Sequence, residues 1–181
     1  MDLRESSQMD EEFLRVGRLS LTKSRHSHAV QIANNMRKAD ARECYIHNLT
    51  PLEALTESLE IHDAKTYTIK FDHTPIGMCG NVPIDNDMAR IWLLGTDDIN
   101  KNFRPFLRGC IPTINLIQGT YLSVENFVPV DHSDTVMWLT WCGFVFDEDV
   151  YEINSHMFMR FERCLLDKNN VIDFKSRPVM H

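Results

Sequence analysis

Apolar positions along the chain switch between a strand-like and a helical period several times, most sharply near its C-terminal end. Val124, Phe127, Val128 and Val130 are β-branched or aromatic and mark a strand, in which the adjacent pair Phe127/Val128 points to burial on both faces. Asp131 or Ser133 then caps a short helix whose positions Val136, Met137, Leu139, Trp141 and Cys142 follow the helical period. Gly143 ends it, because glycine reaches the left-handed conformation without steric cost. Phe144-Val145-Phe146 leaves as a new strand, and after an acidic turn Ile153 to Phe161 returns as its hairpin partner.

Upstream, Phe13 to Leu21 suggests one strand interrupted at Gly17, and Ser24 to Tyr45 a helix carrying Ala29, Ile32, Ala33, Met36 and Ala39, with Asp40 to Tyr45 as a connection. Thr50-Pro51-Leu52-Glu53 has the form of a capping box with proline at the first helical position. Thr66 to Phe71, Ile76 to Val82 and Ala89 to Leu94 form an antiparallel meander, with Gly77 and Gly80 marking bulges or close backbone approach. Thr96-Asp97-Asp98 opens a helix with Phe103, Phe106, Leu107 and Cys110 on one face and Lys101, Arg104 and Arg108 on another; Pro112 kinks it or ends its first half. The order predicts an α+β fold, a mixed α/β sandwich with a mostly antiparallel central sheet and flanking helices. Residues 13–164 form its single domain, with 1–12 as a disordered acidic arm and 165–181 as a tail.

Composition narrows the function. A net charge of −7 over 181 residues argues against sequence-specific nucleic-acid binding, which needs a basic surface. The charge is uneven: residues 15–42 are locally basic and Asp147 to Glu152 acidic, which suits solvated faces or docking to partners of opposite charge. Cys44, Cys79, Cys110, Cys142 and Cys164 are odd in number and without a C-x-x-C pair, so neither a disulfide framework nor a metal site is expected. No apolar run is long enough to span a bilayer, and Asp2, Glu5 and Asp10 to Glu12 stand where a secretory leader would be basic and then apolar. No nucleophile elbow or phosphate-binding lysine loop appears. Trp138 and Trp141, three residues apart on one helix, belong to the core or present one ring to an interface.

The strand, cap, short helix and Gly143-Phe144 resemble the C-terminal half of the GNAT (Gcn5-related N-acetyltransferase) fold, where a motif close to N-x-x-A-x-x-x-Y-x-x-x-G-F stands. Within that superfamily the chain resembles the acetyltransferase-like internal virion proteins of short-tailed bacteriophages. The likeness runs through a Gly-Asn turn at Cys79-Gly80-Asn81, the strand Ile91-Trp92-Leu93-Leu94 and the basic helix Lys101 to Ile117. It implies acetyl-CoA lying where two central strands part, with Leu93, Leu94, Gly95 and Asn126 as cofactor-binding candidates and Lys101, Arg104 and Arg108 as cations for an anionic ligand. The family's glycine-rich pyrophosphate loop is replaced by Gly95-Thr96-Asp97-Asp98-Ile99-Asn100, which sets two carboxylates where phosphates would sit. The usual general-acid tyrosine falls near Leu139, leaving Tyr121 and His132 as the nearest catalytic replacements.

The resemblance implies an internal virion or morphogenesis protein, and those departures point to one without acetyl transfer and without a cofactor. Such a protein would work through contacts with phage internal core or head proteins, in the virion or the host cytoplasm. The alternative is an active acetyl-CoA-dependent N-acetyltransferase with a degenerate cofactor loop.

Overall fold

The computed structural model describes residues 11–165; of the arm expected at 1–12 and the tail expected at 165–181, residues 1–10 and 166–181 lie outside them. Where one interrupted strand was expected, Gly17 (φ 62°) turns the chain back on itself, giving β1 (Glu12–Val16) and β2 (Leu19–Lys23). Glu12 therefore belongs to the sheet rather than to the arm. The long helix expected to Tyr45 is two helices, α1 (His26–Ala33) and α2 (Lys38–Ile46). Asn34 to Arg37 break it because Met36 pairs with Thr96 and the Arg37 N–H donates to the Gly95 carbonyl at 2.9 Å. α3 (Pro51–Glu60) opens with the capping box, Thr50 and Glu53 exchanging both hydrogen bonds.

The meander forms as expected: β3 (Lys65–Phe71), β4 (Thr74–Pro83) and β5 (Met88–Gly95). Asp72 and His73 both take positive φ in the two-residue turn that suits a right-twisted hairpin. Gly80-Asn81 is not a turn but lies inside β4, where a Cβ on Gly80 would come within 2.1 Å of the Lys65 carbonyl oxygen. The basic helix splits at Asn102 into α4 (Asp98–Lys101) and α5 (Phe103–Gln118). Pro112 neither ends nor divides α5; the carbonyl its missing N–H leaves unpaired belongs to Arg108, on the exposed side.

β6 (Ser123–Pro129), α6 (Ser133–Trp141), β7 (Val145–Ile153) and β8 (His156–Cys164) complete the chain. Gly143 (φ 90°) ends the helical segment as expected. His132, not Asp131 or Ser133, stands at the cap position of α6 and provides no side-chain cap. The acidic stretch is a bulged part of β7, and the turn falls instead at Asn154-Ser155. The eight strands run β1-β2-β3-β4-β5-β6-β8-β7, antiparallel throughout except where β5 meets β6.

Each sheet face has its own core. Leu21, Ile69, Ile91, Val124 and Phe161 pack against Phe106, Ile114 and Ile117 of α5 and Leu139 of α6. On the other face Met78, Trp92 and Leu94 meet Ala29 and Ile32 of α1 and Leu55 and Leu59 of α3. Among the described residues no helix is long and apolar enough to cross a membrane. Gly80→Ala is expected to lower unfolding stability by about 3 kcal/mol, since two backbones must part to admit the methyl group, and urea denaturation of the two proteins measures it.

Candidate functional site

β5 and β6 pair in parallel over only three residues, Met88 to Arg90 against Ser123 to Glu125, and then separate. Two side chains hold the fork. The Asn126 carboxamide donates to the Ile91 carbonyl at 2.7 Å and accepts from the Phe127 N–H at 2.8 Å, so it takes the place of the next inter-strand bond. Glu125, buried at the last paired position, accepts from Arg90 at 2.8 Å and from Arg160 of β8 at 2.5 Å. Burial alone would raise its pKa, but the two guanidinium bonds prevail and hold the carboxyl below the usual range. Asn126, expected as a cofactor ligand, is thus already engaged by both strands.

Beyond the fork, polar backbone groups alternate in direction along β5. Ile91 and Gly95 both point theirs away from β4, so the N–H and C=O of Leu93 between them face the gap, while those of Leu94 face β4. Of the three residues expected to offer backbone to a pantetheine arm, Leu93 and Gly95 are directed there and Leu94 is not. Gly95 is taken: its N–H donates to the buried Asp40 carboxylate at 2.8 Å, and its carbonyl accepts from Arg37. Its glycine identity follows from packing, because a Cβ there would sit 2.2 Å from Ile99 Cδ1.

The loop that follows satisfies itself. Thr96 N–H donates to Ile76 O, Asp98 N–H to Thr96 Oγ1, Ile99 N–H to Thr96 O, and Asn100 and Lys101 N–H to Asp97 O. The helix it opens has only four residues. With the amides of Thr96 and residues 98–101 used and Asp97 and Asp98 in place, this end does not fit a pyrophosphate group. Nor do the expected cations compensate: Lys101 pairs with Asp98 at 2.7 Å, and Arg104 and Arg108 form part of the exposed side of α5.

Across the gap lies α2. Its first turn is tied to Gly95 through Arg37 and Asp40, which pair at 2.8 Å. Arg42 reaches Asp131, just past β6, at 3.1 Å, and beyond its last turn the His47 ring lies 5.7 Å from that of Phe158. Burial pushes the Asp40 carboxyl upward against the pull of Arg37. Glu43, one turn on and half-buried, is pushed up to about 7, first by burial and then by Asp40. His132 stands close enough to bear electrostatically on Asp40, whereas Tyr121 sits at the opposite end of β6, tied to Gln118. The structure brings only the first of the two expected catalytic replacements to the gap.

Asp40 and Glu43 were missed by sequence reasoning, although the signal exists: with Met36 and Cys44 they occupy one helical stripe, and carboxylates there must be buried against something. Among the described residues no group of three or more His, Cys, Asp or Glu side chains could hold a metal ion. An open groove of about 730 Å³ lies elsewhere, between Phe13, Lys23, His26, Leu59 and Tyr67, and shares no residue with the fork.

No family model and no curated protein matches the chain. Solved structures do. A GNAT-family acetyltransferase from Bacillus anthracis superposes with a TM-score of 0.64 at 8% identity, over 84% of this chain and 98% of that one. A chimera of the Vibrio cholerae spermidine N-acetyltransferase SpeG with hSSAT gives 0.60 at 16% identity, over 81% and 95%. The chain has the GNAT acetyltransferase fold. At such identities the likeness concerns the architecture alone.

Two measurements test this geometry. Asn126→Ala strands the Ile91 carbonyl and the Phe127 N–H and is expected to cost about 2 kcal/mol in urea denaturation. Because Glu43 titrates higher in the folded chain than in the unfolded one, the folded form binds the extra proton and stability falls as pH rises from about 4.5 through about 7. Glu43→Gln is expected to remove that loss, standing on the order of 1–2 kcal/mol above the wild type at pH 8 and level with it at pH 4.5, after allowance for solvent screening.

Proposed function

We propose that this is a bacteriophage internal virion or morphogenesis protein that uses the GNAT fold as a scaffold for contacts with other phage core or head proteins, without acetyl transfer. The observation that carries the second half is the closure of the cofactor end: Asp40 and Arg37 occupy both polar groups of Gly95, the Thr96 N–H donates to β4, and the amides of residues 98–101 bond within their own loop. A ligand pyrophosphate would have to displace a buried carboxylate and then lie against Asp97 and Asp98, at a cost in both desolvation and repulsion. The phage assignment rests on the resemblance carried by the Trp92 strand, the helix after Gly95 and the Gly143-Phe144 turn.

One feature favours acetyl transfer as a second reading. The Leu93 backbone faces the gap, and Glu43, poised to exchange a proton near neutrality, stands on the helix that spans it. In that reading Glu43 would deprotonate an acceptor amine, and the spermidine enzymes among the structural neighbours suggest a small polyamine or a protein amine as that acceptor.

Two assays decide between the readings. Quantitative mass spectrometry of purified virions is expected to find the protein in the particle; its absence, together with normal particles from a deletion phage, overturns the first. Thermal unfolding with and without millimolar acetyl-CoA is expected to show the same midpoint, since a ligand that does not bind the folded state cannot raise it. A clear rise that Asp40→Ala enhances would establish the second.

A further inference from the structure

Among the described residues the final hairpin carries an exposed apolar surface. α5 packs against β1, β2, β4 and β5, but past it, among the described residues, the same sheet face has only the nine-residue α6 for cover. Val150 stands opposite Met159, which packs into the α5/α6 core, so Val150 lies on that face. Met157, two residues from Met159, shares it, and Val130 lies beside Met157, donating its N–H to the Met157 carbonyl at 3.1 Å. These three side chains remain 42%, 49% and 46% exposed at Val130, Val150 and Met157.

The segment that flanks them carries charge of one sign. Residues 131–152 hold six carboxylates, Asp131, Asp134, Asp147, Glu148, Asp149 and Glu152, and no lysine or arginine. Asp131 and Asp147 are engaged by Arg42 and Arg160, while Asp134, Glu148, Asp149 and Glu152 are exposed. Of the two placements open to Trp138 and Trp141, the core is the one taken: Trp138 donates to Cys110 Sγ at 3.3 Å and packs 5.8 Å from Phe106, and Trp141 is likewise partly buried in that core.

We propose that the outer face of β8 and β7 docks an amphipathic helix with a basic polar side, supplied by a partner protein. Such a helix would continue beside α6 the layer that α5 forms over the rest of the sheet, its apolar stripe on Val130, Val150 and Met157. Its lysines or arginines would meet Glu148, Asp149 and Glu152, which sets orientation and speeds encounter. A sheet face with an apolar centre and an acidic rim selects against acidic or wholly polar partners by the same physics. The inference rests on the reading of the protein as an assembly scaffold and specifies the chemistry of one contact.

The test uses a fluorescein-labelled synthetic helix of leucines and lysines at helical spacing, with a scrambled peptide of identical composition, read by anisotropy against the full chain. The ordered peptide is expected to bind and the scrambled one not to. Val150→Ser/Met157→Ser is expected to weaken binding about tenfold, as two apolar contacts are lost. Glu148→Lys/Asp149→Lys is expected to weaken it as well, while the same reversal on α3, Glu57→Lys/Glu60→Lys, leaves it unchanged. Equal binding of both peptides, equal loss in the α3 variant, or no binding at all overturns the docking surface. Each variant's melting curve is recorded beside the wild type, so loss of the fold is separated from loss of the site. Virion mass spectrometry stands apart from these outcomes: a protein present in particles but indifferent to the peptide loses this surface and keeps its function, and the converse holds.

Discussion

Strands β5 and β6 pair for three residues and then part, and the remaining organisation of the chain answers the cost of that parting. Two strands leaving each other expose backbone groups that the sheet would otherwise satisfy, and buried groups of that kind are expensive to leave unpaired. Asn126 meets the first of them with a side chain that both donates and accepts, bridging Ile91 and Phe127. Glu125 stabilises the same point from the opposite face, tied to β5 through Arg90 and to β8 through Arg160. A buried carboxylate between two guanidinium groups contributes little net stability, yet removing either partner would leave a charge without compensation. Its effect is positional, fixing the angle at which the closing hairpin leaves the meander.

The same opening explains why α1 and α2 are separate helices. One uninterrupted helix would run past the end of β5; broken at Asn34 to Arg37, the chain instead lays Met36 against Thr96 and returns Asp40 onto Gly95. α2 then spans the gap from Gly95 at one side to Phe158 at the other. The carboxylate that closes the β5 end is buried, and a second, Glu43, lies one turn away, so the contact is held at some electrostatic expense. Fold and chemistry therefore separate. The architecture is that of acetyltransferases, while the residues at the cofactor end serve the protein's own backbone, and function has to be argued from those residues rather than from the fold.

Local signals carried much of the chain without help. The period-two alternation of Tyr67, Ile69 and Phe71, the capping box at Thr50 to Glu53, Gly143 after α6 and the apolar stripe of α5 each act through nearest neighbours, and each element formed where its pattern stood. The same reasoning failed where a distant partner intervened. Gly17 looked like an interruption and is a hairpin, because β2 finds β3 on its other edge. Asp147 to Asp149 looked like a turn and is a bulged strand, because Arg160 and Tyr151 offer Asp147 partners. Of the site, the parting of two central strands was expected from the family resemblance, but Asp40 and Glu43 were not, since nothing in α2 itself says what its buried stripe will face.

By itself, then, the sequence determined the element types, the α+β class and the unsuitability of the loop after Gly95 for phosphate, because propensity, period and like-charge repulsion operate over a few residues. Only the tertiary structure decided that Gly95 would be claimed by Asp40, that Asn126 would serve the sheet rather than a ligand, and that Val130, Val150 and Met157 would share one face. Those outcomes depend on pairings between segments tens of residues apart, and a hydrogen bond or a shared face exists only once the sheet has brought its partners together.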